Sequence, residues 1–123
     1  FGAMTDNEAT HIEDDSLTKL SMNILIHAGN ARDSLVKGLE KIETRDYAKA
    51  ETLLKDAHNE IVTAHGLQTD TLQLEAEGKQ IRYSPLFCHA QDTLMTAQSE
   101  LLIADHLTKI FSAFDNGKEE KDA

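Results

Sequence analysis

The chain has 123 residues, and its 12 Lys and Arg against 22 Asp and Glu leave a formal net charge of −10. Length and a composition that is 40% hydrophobic and 28% charged describe one folded domain of ordinary size, while the acidic balance, with no Lys/Arg cluster, removes the electrostatic source for binding nucleic acid or anionic lipid. No apolar run approaches the roughly 20 residues that span a bilayer, no basic-then-apolar leader is present, and the single cysteine, Cys88, allows neither an intrachain disulfide nor a cysteine-rich zinc site. The expectation is a cytoplasmic protein.

Residues 1–15 begin with Phe1-Gly2-Ala3-Met4, which reads as a cloning or cleavage scar, and continue as an acidic stretch expected to be disordered. Beyond it, punctuation is sparse, with one proline and six glycines in the whole chain, so long helices are the natural filling. Leu17, Leu20, Ile24, Ala28, Ala31, Leu35, Leu39 and Ile42 recur at steps of three or four, the spacing of one helical face. A first helix is predicted from Asp15 or Ser16, either of which can cap it, to Thr44-Arg45-Asp46. Asp46 then caps a second run, Tyr47, Ala50, Leu54, Ala57, Ile61 and Ala64, which weakens through Leu67, Leu72 and Leu74 and stops at Glu77-Gly78-Lys79. Gln80-Ile81-Arg82-Tyr83 is a connector too short and isolated to build a sheet. Ser84-Pro85 joins a capping hydroxyl to a proline at the first helical position, where a missing N–H costs nothing. The third helix follows, with Leu86, Ala90, Leu94, Ala97, Leu101, Ala104, Leu107, Phe111 and Phe114 as its core stripe, and fades near Asp115-Asn116-Gly117 into a charged, flexible tail over 116–123. Three rods of about 30 residues, roughly 45 Å each at 1.5 Å per residue, make an all-α antiparallel three-helix bundle over residues 16–115.

One face of the third helix is left over. Pro85, His89, Asp92, Thr96, Ser99, Ile103 and His106 step by 4, 3, 4, 3, 4, 3, a heptad seam of mostly small or polar groups. A solvated outer surface is one reading of it. A partner is the other, because the stretch from Pro85 to Ala104 contains no Lys or Arg and only Asp92 and Glu100 as acids.

Six histidines, at 11, 27, 58, 65, 89 and 106, raise the question of a metal. A di-iron bundle needs Glu-x-x-His on each of two helices, and only Glu8 to His11 matches. His58 and His65 share a face but have no carboxylates at matching spacing, so they are expected to be structural, and His27 and His106 to be packing or surface residues. No Gly-rich phosphate loop, nucleophile elbow or His-Glu-x-x-His motif is present. Cys88 and His89 are adjacent, which sets their side chains about 100° apart on a helix and implies no Cys-His nucleophile pair; Cys88 is expected to be a small buried hydrophobe. There remains His89, in the second turn of the third helix. A neutral imidazole is a competent nucleophile toward phosphorus, and a phosphate near a helix start gains from its free N–H groups. A histidine merely packed in an interface is the competing reading.

His89-Ala90-Gln91-Asp92, followed by Leu94-Met95-Thr96-Ala97, resembles the active-site segment of the enzyme IIA proteins in the lactose/cellobiose/chitobiose branch of the bacterial sugar phosphotransferase system. Ala28-Gly29-Asn30-Ala31-Arg32 resembles the family's helix-one motif, Asp46-Tyr47-Ala48-Lys49-Ala50 its helix-two start, and Ala64-His65-Gly66-Leu67-Gln68-Thr69 with Glu75-Ala76-Glu77-Gly78 the end of helix two, so the similarity covers about residues 20–115. The resemblance implies a phosphohistidine carrier in which His89 accepts phosphate from the general histidine phosphocarrier protein and passes it to the cysteine of a cognate enzyme IIB, during uptake of a β-linked disaccharide of the cellobiose, lactose or chitobiose type. It also implies Gln91 as a catalytic neighbour, a homotrimer built through the third helix as a nine-helix assembly, and Asp92 at its axis, where three copies share a hard cation such as Mg²⁺. Where the family often has a second histidine, one residue after the aspartate, this chain has Thr93, whose hydroxyl is able to donate a hydrogen bond. The alternative is a non-catalytic helical adaptor or regulator derived from the family; the intact His89 argues against it. The histidine-phosphotransfer domains of two-component signalling show His-x-x-Lys/Arg-Gly, which Ala90-Gln91-Asp92-Thr93 does not match. In such a transport system the membrane component binds the sugar, so this sequence does not specify it.

Overall fold

The computed structural model describes residues 14–122, with side chains over 15–117. The scar, residues 1–13 of the segment expected to be disordered and the Glu8 to His11 pair lie outside the described residues; Asp14 and Asp15 are already helical, so the first helix begins before the caps expected at Asp15 or Ser16. Three helices make up the fold: α1 (Asp14–Glu43), α2 (Tyr47–Ala76) and α3 (Pro85–Asp122), with no strand among the described residues. Contacts give their directions. His27 Nδ1 on α1 lies 2.6 Å from Glu60 Oε2 on α2, and Gly38 abuts Leu54, so later α1 residues meet earlier α2 residues and the two run antiparallel. Tyr47, at the start of α2, donates to Asp115 late in α3, while Arg32 on α1 pairs with Glu100 on α3 at 3.3 Å, which completes the up-down-up bundle.

Both ends of α2 have local causes. Asp46 caps α2 by accepting from the Lys49 N–H at 3.3 Å, and the turn before it closes through Arg45, which adopts a left-handed φ of 63° and donates its N–H to Ile42 O at 3.0 Å. At the other end of α2, the Gly78 and Lys79 N–H groups donate to Glu75 O and Leu74 O at 3.0 and 3.1 Å. That closure holds Gly78 at φ +100°, where a side chain would be strained, so glycine is the residue that ends the helix.

The core alternates large and small. Leu17, Ser21, Ile24, Ala28, Ala31 and Leu35 of α1 face Ala50, Leu54, Ala57, Ile61 and Ala64 of α2, and Phe87, Ala90, Leu94, Ala97, Leu101 and Ala104 of α3 close the third side, all buried. Alternation lets each large side chain seat opposite a small one, the interlocking that sets a tight interhelical distance. Gly38 is the limiting case, since a Cβ there would stand 2.9 Å from Leu54 Cδ2.

The stripe departs from the sequence reading at three places. Phe87 is buried where Leu86 was expected, Leu86 being half-buried; the inward register runs Phe87, Ala90, Leu94, one residue along from the expected start. On α2 the inward positions after Ala64 are Gln68 and Thr71, while Leu72 and Leu74 are exposed. Near the end of α3, Thr108 is buried, Leu107 half-buried, and Phe111 and Phe114 are 48% and 77% exposed. The same 3.5-residue register explains all three, because it carries polar residues inward whenever the apolar ones fall out of step. The helix also does not fade at 115–117 but continues to Asp122, beyond the starts and ends of its neighbours.

At that far end Tyr47 and Arg45 both hold Asp115, the latter across 3.9 Å. Donation to the carboxylate is the main reason the Tyr47 phenol keeps its proton more tightly than an ordinary tyrosine, with some loss of hydration adding to it.

Candidate active site at the start of the third helix

The first turn of α3 is built to hold its neighbours still. Ser84 is buried, accepts from the Phe87 N–H through Oγ at 3.2 Å, and takes the Cys88 N–H on its carbonyl at 3.0 Å, while Pro85 occupies the first helical position. Phe87 and Ala90 then lock this turn into the core. With 87 and 90 facing inward, the helical screw turns His89 outward, where it is exposed. The imidazole thus stands on a rigid, capped helix start and open to an incoming partner. Asp92, three residues on, is exposed and shares this outer side.

Not every residue expected at the site gathers around His89. Gln91 is half-buried, and a separation of two residues puts it on a different side of α3, so within one chain it shares no face with His89. Thr93 lies one turn after His89, and its hydroxyl donates to the His89 carbonyl at 2.8 Å rather than outward. Cys88 is exposed, not the buried hydrophobe expected, because the inward role belongs to Phe87 beside it.

The other described histidines stay apart. His27 pairs with Glu60, His65 Nδ1 lies 3.3 Å from Thr69 Oγ1 within α2, and His58 and His106 are exposed. Among the described residues no three His, Cys, Asp or Glu side chains come together as a metal site.

The whole heptad seam is uncovered in the single chain, from Pro85 and His89 through Thr96 and Ser99 to His106. It is also more apolar than the sequence reading made it, since Met95, Leu102, Ile103 and Ile110 are 47%, 61%, 58% and 54% exposed on or beside it. A second exposed stripe went unread: Met22, Ile26 and Val36 on α1, whose steps of four, three, four and three through Gly29 and Asp33 would have revealed it. An open groove of about 320 Å³ between α2 and α3, lined by Lys55, His58, Asp105 and Lys109 among others, was also missed; it brings together residues from two helices that no local motif connects.

Residues 19–112 match the family described as PTS system, Lactose/Cellobiose specific IIA subunit. That span contains all of α2 and most of α1 and α3, with His89, Gln91 and Asp92 inside it. The chain belongs to the lactose/cellobiose-specific IIA family. Among its relatives, the PTS system lactose-specific EIIA component of Lactococcus lactis subsp. lactis is 36% identical over 97 residues, 79% of this chain and 92% of the relative. That of Staphylococcus epidermidis is 35% identical over 103 residues, 84% of this chain and 96% of the relative. The crystal structure of PtcA from S. mutans superimposes with a TM-score of 0.81 at 30% identity, covering 82% of this chain and 99% of that one. The PTS cellobiose-specific enzyme IIA from Bacillus anthracis gives 0.75 at 28% identity, over 80% and 90% of the two chains. This IIA chain is therefore a phosphotransferase-system component, and none of its described helices is long and apolar enough to cross a membrane.

Proposed function

We propose that this IIA chain is a phosphohistidine carrier: His89 accepts a phosphoryl group from the general histidine phosphocarrier protein and hands it to the cysteine thiolate of a cognate enzyme IIB, in a cytoplasmic relay that serves uptake of a β-linked disaccharide. The observation that carries this reading is an exposed imidazole on a capped helix start, inside the matched segment. In each step one P–N bond breaks as the next bond to phosphorus forms in line, so what the protein contributes is position, access and a modest favourable field from the start of α3. No nucleotide is needed, because the phosphoramidate bond itself carries the transfer potential. Incubated with the phosphorylated carrier, the protein is expected to take up one phosphoryl group per chain and to lose it on addition of the IIB partner. Absence of uptake would instead favour the adaptor reading.

The working form is a parallel homotrimer, with α3 of each copy around a common axis. The exposed, charge-poor seam with Met95, Ile103 and Ile110 supports this, since a monomer would leave that apolar surface in water. In a cyclic assembly one flank of a helix meets the opposite flank of its neighbour, which would carry Gln91 of one copy toward His89 of the next. Three Asp92 carboxylates would then converge. One chain supplies the Asp92 carboxylate and, among its described residues, no three-residue His, Cys, Asp or Glu cluster, so the donor set fits a shared hard cation such as Mg²⁺ rather than a site within one copy. Such an ion would offset the converging negative charge; protons shared among the carboxylates are the competing solution. Light scattering should report three copies at micromolar concentration, and a monomer there would refute the assembly. Asp92→Leu should stay trimeric and melt at a higher temperature, while a chelator should lower the melting temperature of the unmodified protein only. Dissociation of Asp92→Leu with no chelator effect would overturn the axial ion.

A further inference from the structure

The reading of His89 as phosphoryl acceptor leaves open what orients its ring. A neutral imidazole that attacks phosphorus must carry its lone pair on one nitrogen and its proton on the other. Among the described residues, no side chain makes a hydrogen bond to either His89 ring nitrogen. Thr93 stands one turn later on the same side of the helix and is half-buried. Its hydroxyl donates to His89 O at 2.8 Å, which commits the only proton that oxygen has. Toward an imidazole, Oγ1 is then left with lone pairs alone, so it can accept and not donate.

The chain contains a second His-x-x-x-Thr, on α2, where Thr69 Oγ1 and His65 Nδ1 are 3.3 Å apart. Helical i, i+4 spacing therefore brings this nitrogen and this oxygen into hydrogen-bond reach by side-chain rotation, with no change in the main chain. Nδ1 is the ring nitrogen nearer the backbone, and Nε2 lies on the far edge of the ring.

We propose that Thr93 is a positioning residue for His89: its Oγ1 accepts from Nδ1–H and so holds the ring in the tautomer whose lone pair lies on Nε2. In the transfer, the P–N bond on the donor's protonated imidazole breaks and its electron pair returns to that ring. The Nε2 lone pair of His89 forms the new P–N bond. No proton moves on His89, so the positive charge passes from the donor ring to this one, and the Nδ1–H···Oγ1 bond becomes charge-assisted and stronger as it does so.

The test is the tautomer itself, read from long-range ¹H–¹⁵N correlations of the His89 ring in the full-length labelled protein. The unmodified protein should hold the Nδ1–H form predominantly. Thr93→Val, which keeps the branched shape and removes the hydroxyl, should shift the balance toward Nε2–H and slow phosphorylation by the carrier about tenfold, with Thr93→Ala giving the same shift. Thr93→Ser should restore both. An unchanged tautomer ratio in Thr93→Val and Thr93→Ala would overturn the proposal, whatever their transfer rates. A shifted ratio in a protein that takes up no phosphoryl group would support the hydrogen bond and refute the acceptor reading on which it rests.

Discussion

His89→Ala should take up no phosphoryl group from the phosphorylated carrier while keeping its helical content and its melting temperature. The side chain is exposed and is not part of the buried stripe, so its removal costs the fold little, within about 0.5 kcal/mol for a surface substitution of this kind. Its chemistry has no substitute nearby: Cys88 faces another direction, Thr93 has its hydroxyl committed, and Asp92 would give a less nucleophilic oxygen. His65 supplies the control. It is also exposed, and within α2 it has a threonine partner, so His65→Ala should label normally. Labelling of His89→Ala at the normal rate, or loss of label in His65→Ala, would move the site.

The largest effect on stability is expected from Leu94→Ala. Leu94 is completely buried at the middle of the α3 stripe between Ala90 and Ala97, neighbours too small to close the space its side chain leaves. Removing a buried leucine costs lost transfer energy and an unfilled cavity, about 3–5 kcal/mol where the surroundings cannot collapse. That is a large fraction of the roughly 5–15 kcal/mol that holds a domain of this kind together. Urea unfolding should show the midpoint falling steeply with the slope unchanged, whereas Val62→Ala, 56% exposed on α2, should shift stability by under about 0.5 kcal/mol. A Leu94→Ala midpoint as small in shift as that of Val62→Ala would mean that the bundle repacks around the gap.

The helices were legible because their signals are local. Asp46, Gly78 and Ser84-Pro85 act through bonds within a turn or two, and the structure shows those bonds. Which residues face inward was less so, since a shift of one position decides it. Phe87 displaced Leu86, and Phe111 and Phe114 were drawn into a stripe that the helix carries past them, because the register of a bundle is set by three helices together. The end of α3 was read too early for a related reason: Asn116 and Gly117 weaken a helix, but Tyr47 and Arg45 of another segment hold Asp115 just before them. At the candidate site, the exposed His89 and Asp92 followed from the seam they share. The direction of the Thr93 hydroxyl and the exposure of Cys88 did not, because each depends on a rotamer or on which neighbour fills the core.

The alternation of alanine with larger residues has a thermodynamic consequence. Eight buried alanines, at 28, 31, 50, 57, 64, 90, 97 and 104, draw the helices close but contribute little apolar area apiece, so one copy has a thin core for its length. Much of the chain's remaining apolar area, Met95, Leu102, Ile103 and Ile110, sits on the outside of α3. Whatever covers that surface adds stability by mass action, and if copies of this chain cover it, folding free energy becomes a function of protein concentration, falling on dilution as the copies part. The folded fraction of a chain built this way would then track its abundance in the cell.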